Sequence, residues 1–122
     1  MDRDTFITAV SQMLSVEPDT AGRAIRVTLS TLGERIGADE GWRLVSALPP
    51  DLGPLLYAAG PAASFDAEAF VHRVAEREQV DPRTAAVHVA AVLAVLAQAI
   101  DEPDYRHLVG VLSPDYAPLL PR

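Results

Sequence analysis

The nonapeptides LPPDLGPLL, beginning at Leu48, and LSPDYAPLL, beginning at Leu112, lie 64 residues apart, and the same offset aligns the whole chain on itself without a gap. Identities run through Asp2/Asp66, Phe6/Phe70, Val10/Val74, Val16/Val80, Pro18/Pro82 and Ala21/Ala85, then Leu29/Leu93, Leu32/Leu96, Ile36/Ile100, Leu44/Leu108 and Pro54/Pro118. Most of these positions are apolar or are the residues that start and stop helices. Self-similarity at a fixed period marks a repeat architecture, in which one supersecondary unit buries its apolar face on a second copy. The expectation is one compact all-α domain made of two units, residues 1–62 and 63–122.

Each unit reads as helices. Asp2 and Asp66 have the short acceptor side chain of an N-cap, with Met1 or Phe65 just before and Phe6 or Phe70 four residues after, the spacing of a hydrophobic staple. Phe6, Ile7, Val10 and Leu14 then fall on one stripe. In SVEPDTA and QVDPRTA a proline stands where a second helix begins, a position that tolerates its missing N–H. Asp81 is a good cap there and Glu17 a poorer one. The second helix places Ala21, Ile25, Thr28, Leu29, Leu32 and Ile36 inward and Arg23, Arg26, Ser30 and Glu34 outward. A third, shorter helix carries Leu44, Val45 and Leu48, matched by Leu108, Val109 and Leu112. The prolines of the repeated phrase then limit the chain to one tight helical turn, whose Leu55, Leu56, Leu119 and Leu120 should plug the bundle. No stretch alternates with period two, so no sheet is expected.

These residues resemble a known group. Two copies of a DxxxF…V…VxP…L..L…I…L helix pair, each closed by a PD..PLL turn, are similar to the bacterial domain of unknown function family twenty-two sixty-seven. The resemblance spans nearly the whole chain and implies an all-helical fold. It rests on core and cap positions and brings no catalytic or binding residues with it.

Composition narrows the function. The 122 residues contain no cysteine, which removes disulfides, thiolate nucleophiles and cysteine-bound zinc. The net charge is −7, both halves are acidic, and every basic residue is arginine. An acidic surface repels phosphate backbones, so no nucleic-acid partner is expected. The apolar run from Ala85 to Ile100 is interrupted by His88 and Gln98 and falls short of the ~20 residues of a membrane span. With no secretory signal pattern, the expected setting is the cytoplasm.

The remaining constellations point away from chemistry. His72, His88 and His107 all lie in the second unit but lack the spacing of a metal site; His72, with Glu68 and Glu76 four residues either side, reads as a solvated helix face. The carboxylates of GADEGW (Gly37 to Trp42) and DEPDY (Asp101 to Tyr105) could serve acid–base chemistry, yet both stand where a third helix starts and suit its dipole. Arg23, Arg26 and Arg35 could together grip an anion; Asp19, four residues before Arg23, favours a solvated face instead. No cofactor or metal is expected, and the balance is against an enzyme.

The two units differ most in their long helices. Where the first has Arg23, Arg26, Ser30 and Glu34, the second has Val87, Ala90, Ala94 and Gln98, with Ala91 and Val95 alongside. That helix is apolar nearly all round, so both its faces should be covered, either by the first unit or by a second chain in a two-fold contact. Trp42, which takes the place of Arg106, is either an interface anchor or a cover over the junction between units. The candidate interface is therefore Val87, Ala90, Ala91, Ala94, Gln98 and Trp42. The functional expectation is a non-enzymatic helical interaction module working through homo-oligomerisation or a protein partner. The alternative is a small-molecule-binding protein, or an unrecognised enzyme, using the cleft between the units.

Overall fold

The architecture is described from a computed structural model, in which residues 1–57 and 60–121 are defined. Among these residues it is all-α: five α-helices and two 3-10 turns, with no strand. The α-helices are α1 (Arg3–Leu14), α2 (Pro18–Val45), α3 (Ala67–Glu78), α4 (Pro82–Ala99) and α5 (Glu102–Val111). The first closing turn is Gly53–Leu56 and the second Pro114–Leu119.

Helix starts follow local chemistry. Asp2 accepts the Thr5 amide at 2.7 Å, Asp66 the Ala69 amide at 2.8 Å, and Asp81 the Thr84 amide at 2.7 Å. Glu17 makes no such bond, and the proline at the start of α2 serves alone. The staple forms only at α3, where the Phe65 and Phe70 rings lie 6.1 Å apart; Met1 is 51% exposed. Helices α1 and α3 both end on a left-handed residue, Ser15 (φ 55°) and Gln79 (φ 59°).

The expected break between second and third helix takes two forms. In the second half Ile100 and Asp101 are extended, and Asp101 caps α5 by accepting the Asp104 amide. In the first half α2 continues through a kink at Gly37, whose φ of 86° and ψ of 170° belong to a region open almost solely to glycine. The connector between the halves fills the kink. Ala38 donates its amide to the Gly60 carbonyl, and Ala63 donates to the Glu34 carbonyl, both at 3.0 Å. A Cβ on Gly37 would stand 2.6 Å from the Ala62 amide nitrogen.

One apolar core joins all of this. Phe6, Val10, Ile25, Leu29, Leu32 and Leu56 from the first half meet Phe70, Val74, Val89, Leu93, Leu96 and Tyr116 from the second. Each large side chain fully buried there contributes roughly 1.5–3 kcal/mol. Helix α4 lies centrally, packed by α1, α2, α3 and the second closing turn. With 18 residues and a mean hydropathy of 1.3 it is the one described helix that matches a membrane span in length and composition, and its central packing accounts for that apolarity.

The plugs differ from expectation. Leu56 and Leu119 are buried, whereas Leu55 and Leu120 are half-buried. The largest plug is Tyr116, buried with its hydroxyl donating to the Phe65 carbonyl at 2.6 Å. Burial raises the Tyr116 phenol above its ordinary pKa. The expected solvent face of α2 is also partly internal: Glu34 is half-buried and accepts from Arg77 and Arg73 of α3 at 2.8 and 3.3 Å. In the third helical segment, Leu44, Leu48, Leu108 and Leu112 are buried as expected, but Val109 is exposed.

Candidate functional site

The kink at Gly37 decides where Trp42 points. Beyond it, α2 presents Gly41 and Leu44 to the core and turns Trp42 and Arg43 outward. Gly33 and Gly41 form the seat of the first closing turn: a Cβ on Gly33 would stand 2.5 Å from the Leu56 carbonyl oxygen, and one on Gly41 would collide with the same atom. Seated that closely, the turn delivers Tyr57 beside Trp42. The two ring centroids are 6.2 Å apart at 76°, an edge-to-face pair. Trp42 is nevertheless 70% exposed and Tyr57 53%. The two rings, Ala38 and the exposed Asp39 line a recess of about 430 Å³. Trp42 therefore lies open rather than covering the junction between the halves.

The other expected interface residues divide. Ala91 is buried in the core, as is Val95, because the outward direction on α4 is narrower than its apolar sequence implies. Ala90 and Ala94 are half-buried, and Val87 and Gln98 are exposed, Val87 by 56%. Cover by the first half, one of the two expected ways of burying α4 on both faces, is therefore partial. Neighbours within the chain cover most of it and leave a strip along Val87, Ala90, Ala94 and Gln98.

The three arginines do not act together. Arg35 donates its Nε–H to the Phe65 carbonyl at 2.9 Å and lies 5.3 Å over the Tyr116 ring, so it is a structural tie. Arg23 and Arg26 are exposed. Arg26 joins Arg3, Ile7, Gly22, Ile25, Asp51, Leu52 and Leu55 in lining a groove of about 240 Å³ within the first half.

The histidines are likewise separated. His72 is exposed, 4.0 Å from Glu68. His88 is buried, its Nδ1 3.0 Å from Glu78 Oε1, a pair whose sequence-equivalent residues in the first half are Leu14 and Ala24. His107 ties α5 to α2 through Glu40 at 2.6 Å. No three His, Asp or Glu side chains among the described residues are grouped to hold a metal ion. The DEPDY carboxylates serve the start of α5, where the hydrogen bond shared with Asp101 raises the Asp104 carboxyl.

Sequence reasoning missed the Glu78–His88 pair, the Glu34–Arg73–Arg77 cluster and the role of Tyr57. The first had a visible signal: Glu78 and His88 fall at positions where the first half is apolar.

The chain belongs to the family described as uncharacterized conserved protein (DUF2267), which it matches across residues 3–119. No curated protein shows significant similarity to it.

Proposed function

We propose that this chain is a duplicated helical module that works by binding a protein rather than by catalysis, with the Trp42–Tyr57 corner as its anchor. The observation that carries this reading is the exposure of Trp42, the largest side chain in the protein, on a helix fixed at both sides. Most buried surface in a soluble domain is apolar, and a lone tryptophan held open beside a second aromatic ring is the composition of an interface hot spot. Trp42 is held by the Gly37 kink and by the seated turn, so little side-chain ordering would oppose association. The strip Val87, Ala90, Ala94 and Gln98 offers a second, flatter contact.

The duplication is supported by the ungapped offset of 64 residues, by the equal 12-residue lengths of α1 and α3, and by their matching left-handed ends. The partner is a second copy or another protein. An acidic chain disfavours nucleic acid, and the absence of cysteine is in keeping with a reducing cytoplasm.

The test places a photo-crosslinking amino acid at position 42 and, separately, at position 13, where Met13 is likewise exposed on α1. A discrete adduct is expected at position 42 only, of dimer or heteromeric mass, competed by the native chain and not by Trp42→Ala. Equal labelling from both positions would show that Trp42 is not an anchor.

A second reading, binding of a small molecule, rests on the groove beneath Arg3 and Arg26. It lies within the first half rather than at the junction. Screening anionic metabolites for a rise in melting temperature that Arg26→Ala abolishes tests it.

A further inference from the structure

Resting on the reading of Trp42 as an anchor, we infer that the Trp42–Tyr57 corner receives an arginine side chain carried on a basic segment of a partner protein.

The molecule's own contacts supply the pattern. Arg73 lies 3.9 Å over the Phe65 ring while bonding Glu34. Arg35 lies 5.3 Å over Tyr116 while donating to the Phe65 carbonyl. Each joint combines a guanidinium, an aromatic face and an oxygen acceptor. The outer corner has the same two fixed parts and no cation. Trp42 is the side chain whose face attracts cations best, and no arginine among the described residues stacks on it. Asp39 lines the same recess and forms no ion pair among the described residues, whereas its neighbour Glu40 is already held by His107.

The recess selects the cation. Its lining is two rings near a right angle with Ala38 and the acidic Asp39, and both rings are open to solvent. A compact ammonium would remain hydrated there. A guanidinium is planar and weakly hydrated, so it can lie flat on a ring and still fork toward a carboxylate. That openness also requires that the cation be carried on a larger body, since nothing encloses a free one. Charge adds direction: a net −7 draws a basic segment in from about a Debye length, ~8 Å at physiological salt.

The probe is an acetylated Gly-Arg-Gly amide, compared with the same peptide carrying citrulline, its neutral isostere. Titrations are followed by nitrogen–proton NMR of the full chain, whose single tryptophan gives one indole signal. The arginine peptide should shift the Trp42 indole and the Asp39 amide saturably, with roughly tenfold less response to citrulline. Asp39→Asn should weaken binding about threefold or more, and Trp42→Ala, which leaves net charge unchanged, should remove the Asp39 shift. Equal responses to the two peptides would overturn the choice of cation while leaving an apolar anchor in place. Shifts scattered over acidic positions with the indole unmoved would also overturn it, by showing only diffuse attraction. Failure of the anchor itself is read separately, from loss of the position-42 adduct.

Discussion

The two halves stop their long helices by opposite means. At Gly37 the first half uses a backbone conformation closed to other residues and lets the connector satisfy the freed groups. At Asp101 the second half uses a carboxylate cap and needs no connector. The neighbours follow suit. Gly33 and Gly41 admit the first closing turn onto α2, whereas the second half has Ala97 and Tyr105 at those positions. The second closing turn instead packs on α4 and the start of α3, where Asp115 accepts the Ala67 amide at 2.7 Å and Tyr116 reaches the Phe65 carbonyl. The two halves thus close in different ways, and the first leaves the Trp42 and Tyr57 rings outside.

The hardest way to break the comparison is to separate the halves. Residues 1–62 alone should be poorly folded, because the core is one cluster and a unit of that size buries a marginal fraction of its surface. Far-ultraviolet circular dichroism with thermal melting checks this; a cooperative melt near the full-length temperature would show that each half stands alone.

Exchanging the two helix breaks should be strongly asymmetric. Gly37→Asp copies the second half but forces a side chain into a glycine-only conformation 2.6 Å from backbone, and should cost about 3 kcal/mol. Asp101→Gly removes a cap and should cost only about 0.3 kcal/mol. Urea denaturation of both variants measures the difference, and equal losses would mean that the kink is not strained.

Next in size, Tyr116→Leu gives the second half the residue that stands at the equivalent position of the first, Leu52, just before its closing turn. It should cost about 2 kcal/mol through lost volume and a lost hydrogen bond to Phe65. Leu52→Tyr should not restore it, since Leu52 is itself buried and a larger ring there would overpack its site.

The smallest effect contrasts the caps at the starts of α2 and α4. Asp81→Ala should lose about 1 kcal/mol and Glu17→Ala almost nothing. The difference should depend on pH. Amide hydrogen bonds hold the carboxyls of Asp2, Asp81 and Asp115 below their ordinary value of 3.8. A depressed folded-state value means that the unfolded chain takes up protons first, so the stabilisation is complete above that ordinary value and fades as pH falls through the lower folded values. Melting temperatures of the native chain and Asp81→Ala should therefore converge below about pH 4.

What could be seen in the sequence was local. The caps at Asp2, Asp66 and Asp81, the prolines at 18 and 82, and the inward stripe from Ile25 to Ile36 act within a turn or two, so their spacing announces them. Tyr116 was invisible for the opposite reason: its partner Phe65 lies 51 positions away, and a tyrosine between prolines carries no periodic signal. Arg35 and Glu34 read as solvent-facing because a helical wheel places residues relative to one helix and cannot know that α3 meets Glu34 while the connector and the second closing turn meet Arg35. The exposure of Trp42 is foreshadowed by the arginine at its equivalent position, Arg106, while the burial of Ala91 is not, because small apolar residues look alike on a surface and in a close helix contact.

The connector has a consequence for assembly. Its Gly60 and Phe65 carbonyls and Ala63 amide are bonded to α2, and Phe65 also to the second closing turn. Two chains that exchanged halves would have to straighten this segment and strip those bonds from both ends at once. Domain swapping, the low-cost route to a dimer when a hinge is slack, should therefore be disfavoured in this chain. Any oligomer it forms should be built by intact monomers meeting at their surfaces, and should come apart on dilution without unfolding.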